Sequence, residues 1–141
     1  MIFQKILVPL DGSEHSRRAL DASIQLAKIL NSKLALLAVY SVTGVAGPEP
    51  GSTLIALESI RDSCKRILSE AEAKVRSETV DVKTEVAEGN AADVIVKKAK
   101  EGKYNLIVMG ARGLSTFKKI LVGSVSEGVI KKAPCPVLIV K

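Results

Sequence analysis

Leu106-Ile107-Val108-Met109-Gly110-Ala111-Arg112-Gly113-Leu114-Ser115-Thr116-Phe117-Lys118-Lys119-Ile120-Leu121-Val122-Gly123-Ser124-Val125 reads as a strand, a bend and the start of a helix. Leu106 to Met109 has the length and unbroken apolarity of a parallel strand covered on both faces. Gly110 and Gly113 then stand three apart, with Ala111 and Arg112 between them. Such a pair lets the backbone turn tightly and offer bare N–H groups at close range, with a positive φ expected at Gly113. Gly123-Ser124 opens a new helix, whose first N–H groups lack partners and carry the positive end of the dipole. The two sets of backbone donors are expected to converge on one anion, and a phosphate chain is the guest they suit.

Upstream of this stretch, strand-like and helix-like segments alternate. Ile2 to Leu10 is a β-rich run, and Asp11-Gly12-Ser13 supplies turn and cap chemistry for a helix from about Glu14. That helix carries two apolar stripes, Leu20, Ile24, Ala27 beside Ala19, Ala22, Leu26, Ile29, and Asn31-Ser32 ends it. Leu34 to Tyr40 is again continuously apolar. Ser41 to Ser52, with Gly44, Gly47, Pro48, Pro50 and Gly51, reads as a mobile loop of the kind that serves as a lid. From Thr53 the spacing Leu57, Ile60, Cys64, Ile67, Ala71, Val75 marks an amphipathic helix of about six turns.

Val80, Val82, Thr84 and Val86 alternate with Asp81, Lys83 and Glu85, as in an edge strand guarded by charge. Asn90 caps the next helix with Asp93 three positions on, and Val94, Ile95 and Ala99 form its buried side. Tyr104 to Met109, Ser124 to Lys132 and Val137 to Val140 complete the pattern as strand, helix and strand. The alternation predicts an α/β fold, a parallel sheet with right-handed crossovers and helices on both faces.

Gly110, Gly113, Gly123 and Ser124 fit the spacing G-x2-G-x9-G-[S/T], which resembles the nucleotide-binding signature of the universal stress protein family in its ATP-binding branch. Two further marks are the opening Ile6-Leu7-Val8-Pro9-Leu10-Asp11-Gly12-Ser13 and the close Ala133-Pro134-Cys135-Pro136-Val137-Leu138-Ile139-Val140, so the resemblance spans nearly the whole chain. It implies one domain over residues 1–141, a three-layer sandwich on a five-stranded parallel sheet of order 3-2-1-4-5. This is the Rossmann-like architecture of the adenine nucleotide alpha hydrolases. That order puts a topological switch point between strands 1 and 4, where Asp11 and Gly110 flank a crevice.

Each residue at this crevice has a structural reading beside the functional one. Asp11 ties down the turn that follows it, while the resemblance sets it against the nucleotide's base, sugar and phosphate region. A carboxylate facing polyphosphate needs sugar hydroxyls, a base donor or a shared cation, which makes Mg2+ a natural companion. Val39 is core, or shows its backbone to an adenine edge, with Pro9 and Met109 as walls of the same slot. Arg112 points to solvent or clamps a phosphate. Ser115, Lys118 and Lys119 lie in the spacer within reach of a triphosphate tail. Ser124 caps its own helix and donates to phosphate, and Val125 contributes only its N–H. His15, the sole histidine, has no partner arranged for a triad and reads as a solvent-facing helix residue.

At 141 residues the chain has the length of one domain with a substantial core. Cys64 and Cys135 form no metal or redox motif and read as free thiols in a reducing cytoplasm. The apolar N-terminus fits a strand rather than a signal peptide, and nothing approaches a membrane span. A net charge of +6 suits polyanions, but the basic residues are spread over several helices as ordinary solvated surface. Aromatics make up 3%, too few for base-stacking platforms, which argues against a nucleic-acid binder. Neither a P-loop nor a G-x-G-x2-G after the first strand is present.

The expected function is therefore an ATP-binding regulatory or stress-response module, cytoplasmic, binding ATP, ADP or AMP and biasing association with a protein partner. A slow ATPase or nucleotidyl transferase in the same pocket is the enzymatic alternative, with no catalytic residue assigned. A flavin module is a further alternative. The resemblance also implies a homodimer paired through the C-terminal strand, which would cover an otherwise exposed apolar edge.

Overall fold

A computed structural model describes residues 2–42, 51–113 and 122–141. Its elements run β1 (Lys5–Pro9), α1 (Glu14–Leu30), β2 (Lys33–Tyr40), α2 (Ser52–Ser77), β3 (Val82–Glu88), α3 (Ala91–Glu101), β4 (Leu106–Gly110), α4 (Ser124–Lys132) and β5 (Val137–Val140). All strand pairs are parallel, in the order β3-β2-β1-β4-β5, so the expected topology holds.

The continuous apolar runs of the inner strands have a direct cause: successive side chains point to opposite faces, and both faces are covered. Ile6, Val8, Leu34, Leu36, Leu106 and Val108 pack on one side with Leu20, Ile24 and Ala27 of α1 and Leu68 and Val75 of α2. Leu7, Ala35, Leu37, Ile107 and Met109 pack on the other with Ile95 and Ala99 of α3 and Val129 of α4. Register fixes this division, since Ile6 lies opposite both Leu34 and Leu106, and Leu7 opposite both Ala35 and Ile107. β3 forms one edge, with Val82 buried while Lys83, Thr84 and Glu85 are exposed.

Caps set the helix limits. Ser13 accepts the Ser16 N–H at the start of α1, and Asn31 ends it in the left-handed region, donating its N–H to the Ala27 carbonyl. Asn90 accepts the Asp93 N–H at 3.1 Å, as its sequence position predicts. Burial pushes both free thiols above their ordinary pKa, Cys64 in the core and Cys135 half-buried before β5.

Several expectations shift. β1 starts at Lys5 rather than Ile2, because Phe3 takes φ 58° in a turn and leaves Ile2 71% exposed. β3 starts at Val82 and β4 at Leu106, each after a turn that contains a residue of positive φ, Thr79 or Lys103. In α1 the second apolar stripe is cut short, since Ile29 lies beyond the sheet and is 80% exposed. In α2 the buried residues are Cys64, Leu68, Ala71 and Val75, so only the C-terminal half of the helix reaches the sheet. Its first turn leaves Leu54 and Ile55 exposed. Residues 43–50 of the glycine- and proline-rich loop lie outside the described residues.

Candidate functional site

β1 and β4 diverge into connections on opposite sides of the sheet, and a crevice of about 250 Å3 opens at their carboxyl ends. Pro9, Asp11, Val39, Met109, Gly110, Arg112, Gly113, Gly123, Ser124 and Val125 all line it. Ser115, together with Lys118 and Lys119, lies outside the described residues. The volume falls just below the range typical of pockets that enclose a whole small molecule. A nucleotide-sized guest would seat its base and sugar here and extend its charged tail past the rim.

The walls are aliphatic: Leu10 just after β1, Leu37 and Val39 in β2, Met109 in β4, and Ala91 and Ile95 from α3. The rim is mostly backbone. Gly123 donates its N–H to the Ala111 carbonyl at 2.6 Å, and the Ser126 hydroxyl lies 2.8 Å from the Gly110 carbonyl and 3.1 Å from that of Ala111. Ala111 in turn donates its N–H to Val140 of β5 at 2.8 Å. These bonds draw together two bends separated by the spacer, but the N–H groups of Ala111, Arg112 and Gly123 already donate to Val140, His15 and Ala111, so they are not the bare donors expected from the glycine spacing.

The three glycines do different things. A Cβ on Gly110 would lie 2.7 Å from the carbonyl carbon of His15 and 2.9 Å from the Ser16 amide nitrogen, so this glycine lets α1 pack onto the end of β4. A Cβ on Gly113 would land on Oδ2 of Asp11, whose Oδ1 is held by the Ser13 N–H at 2.9 Å. Gly113 does not have the positive φ expected of it; close approach of the Asp11 carboxylate, not backbone handedness, is what excludes a side chain. At Gly123 a Cβ would meet Ala111 and Arg112 only at an ordinary 3.5 Å.

The opening of α4 also differs in detail. Gly123, not Ser124, is the N-cap, and it brings no side-chain acceptor. Glu127 donates the first helical bond to the Gly123 carbonyl at 2.9 Å, which leaves the amides of Ser124 and Val125, two residues that line the crevice, outside the helical ladder. Uncapped amides at the positive end of a helix are anion ligands.

His15 is not solvent-facing. It is half-buried in the first turn of α1, and its Nδ1 accepts the backbone N–H of Arg112 at 3.3 Å. Nothing in the spacing announces this contact, because 97 residues separate the two. Ser126 was also missed, although a serine in the first turn after Gly123-Ser124 is a position from which a hydroxyl can turn back to the preceding bend. Ala91 and Ile95 were missed because α3 reaches the crevice only through the packing of the layers.

Comparison with known proteins bears on this geometry. The model of the universal stress protein family matches residues 2–141. The chain belongs to the universal stress protein family. It is 39% identical to the universal stress protein YxiE of Bacillus subtilis, over 99% of this chain and 100% of that one. It is 36% identical to a universal stress protein of Methanocaldococcus jannaschii, over 99% and 83%. Among solved structures, UspA of Lactobacillus plantarum matches with a TM-score of 0.89 at 25% identity, covering 100% of this chain and 99% of that one. A universal stress protein solved in complex with cAMP matches at 0.72 and 32% identity, over 99% and 98%. One from Archaeoglobus fulgidus in complex with dAMP matches at 0.70 and 27%, over 100% of each chain. This universal stress protein has no helix, among its described residues, long and apolar enough to cross a membrane.

Proposed function

We propose that this universal stress protein binds an adenine nucleotide in the crevice between β1 and β4, and that occupancy acts as a regulatory signal to a protein partner. The observation that carries the reading is the meeting of the two bends, Gly110–Gly113 and Gly123–Val125, at a rim lined by amides of Ser124 and Val125 that α4 does not use. Two relatives of the same fold, one solved with cAMP and one with dAMP, support the adenine. In this reading the base lies between Pro9, Val39 and Met109, Asp11 takes the sugar hydroxyls, and Gly110, Arg112, Gly113, Gly123, Ser124 and Val125 surround the phosphates.

Mg2+ would enter with the nucleotide. Among the described residues Asp11 is the one carboxylate lining the crevice, and no group of three His, Cys, Asp or Glu suited to a metal occurs there. The cation would therefore draw most of its oxygen ligands from phosphate and water. Residues 1–141 would act as one domain in the cytoplasm.

Thermal unfolding with and without ligand tests the assignment. At about 100 times its Kd, ATP or AMP adds roughly 2.7 kcal/mol of stability and raises Tm; no shift with ATP, ADP or AMP refutes the reading. Phosphate or pyrophosphate release well above background would instead favour the slow-enzyme alternative.

We also propose a homodimer through β5. Leu138 in that edge strand is 40% exposed and Ile130 on the adjoining α4 49%. Light scattering at micromolar concentration should give twice the chain mass, and Leu138→Asp should halve it. A monomeric wild type excludes this arrangement.

A further inference from the structure

The peptide unit between Ala111 and Arg112 is held from both sides of the site. Its carbonyl, that of Ala111, accepts from Gly123 N–H at 2.6 Å and lies 3.1 Å from the Ser126 hydroxyl. Its N–H, that of Arg112, donates to His15 Nδ1 at 3.3 Å. One end of the unit is therefore held by the start of α4 and the other by the start of α1. A peptide is planar, so holding both its oxygen and its hydrogen holds the plane that ends at the Arg112 Cα, the atom from which the chain continues to Gly113.

The imidazole is itself well placed. Ser13 caps α1, and the first turn of that helix packs against Gly110 with no room for a Cβ between them. His15 thus projects from a surface that cannot shift relative to β4 without breaking the contact at Gly110. An imidazole nitrogen accepts a hydrogen bond only when it carries no proton. The bond from Arg112 therefore assigns the neutral ring with its proton on Nε2, an assignment made by the hydrogen-bond network.

We propose that His15 is a positioning residue for the phosphate-binding half of the site: as a neutral acceptor it orients the Ala111–Arg112 peptide so that the two bends face one anion. The proposal rests on the nucleotide reading above and adds a division of labour to it. The base and sugar pocket is built from Pro9, Val39 and Met109 with Asp11, and His15 makes its hydrogen bond to none of them. His15 should therefore matter for ligands with phosphates and not for the nucleoside alone.

Calorimetric titration with adenosine and with ADP, on wild type, His15→Leu and His15→Asn, tests this. Leucine keeps much of the volume and removes the acceptor, while asparagine returns an oxygen near the position of Nδ1. The expected result is about a tenfold loss of ADP affinity in His15→Leu, the size of one lost hydrogen bond to an oriented group. Adenosine affinity should be unchanged and most of the ADP affinity regained in His15→Asn. Equal losses for adenosine and ADP, unchanged ADP binding in His15→Leu, or failure of asparagine to restore it overturns the proposal.

A second measurement needs no ligand. Nitrogen-15 spectra of the free wild-type protein should show His15 Nδ1 without a proton, and the Arg112 and Gly123 amide signals should move in His15→Leu. A proton on Nδ1 overturns the clamp directly. A wild type that binds neither ligand but shows the bare Nδ1 sinks the nucleotide reading and the role in affinity while the clamp itself stands, so the two failures are told apart.

Discussion

The two ends of the sheet are hollowed in different ways. At the amino ends of the strands lies a depression of about 690 Å3, lined by Lys5, Lys33, Asp81, Lys83 and Tyr104 among others. Side chains close it: Asn105 Oδ1 accepts the Lys5 N–H at 2.8 Å, the Lys5 ammonium sits 4.7 Å from the Tyr104 ring centre, and Lys83 sits 5.9 Å from the same ring. Lys5 Nζ also donates to the Gly102 carbonyl. At the carboxyl ends the hollow is about 250 Å3, and its rim is glycine and backbone amide. The larger space is thus furnished with long side chains that already have partners. The smaller one has glycine at three rim positions, Gly110, Gly113 and Gly123, and exposed backbone is what a phosphate can approach closely.

Substitutions can break or sharpen that contrast. The largest effect is expected for Gly113→Val, whose side chain would displace the Asp11 carboxylate held by Ser13 and enter the space between the bends. It should abolish the ligand-dependent gain of roughly 2.7 kcal/mol at 100 times Kd, whereas Lys33→Ala at the opposite end should leave that gain intact. Thermal shift on the two variants decides it. If Lys33→Ala erases the ATP effect and Gly113→Val keeps it, the wrong end has been chosen.

Gly110→Ala comes next and acts on folding. Its methyl group meets helix backbone at 2.7 Å, which cannot rotate away, so urea unfolding of the free protein should show a loss of about 1–3 kcal/mol. Gly123→Ala should be the mildest toward the free protein. Its Cβ finds ordinary contacts, so stability should stay within about 0.5 kcal/mol. Nucleotide affinity should nevertheless fall, because the methyl group faces the rim where the two bends meet. A Gly123→Ala protein that loses stability but binds as before would reverse the roles assigned to Gly110 and Gly123.

Much of this molecule is legible in its sequence, for identifiable reasons. Period and composition mark β2 and β4 because strands buried on two faces must be apolar throughout, and the charged alternation of Val82 to Val86 marks an edge. Caps such as Ser13 and Asn90 act within three residues, so local sequence contains all they need. The strand order came through family resemblance, since hydrophobic period says nothing of which strand lies beside which.

At the site, spacing alone names the glycines but not their separate duties. Gly113 was expected to need a left-handed backbone, yet its constraint is a carboxylate from the far end of the chain. His15 and Ser126 escaped for the same reason: each acts on a carbonyl or amide brought near only by tertiary packing. The exposed Leu54 and Ile55 show the opposite error, in which a regular apolar period continues past the point where the helix leaves the sheet.

The amide of Ala111 hangs from the carbonyl of Val140, the last residue of the outermost strand. The periphery of the sheet and the mouth of the crevice are thus hitched at the end of β5, where Gly110 also pairs with Val140. A force that slides β5 along its length reaches the cradle without crossing the interior, and tightening the cradle pulls on the rim in return.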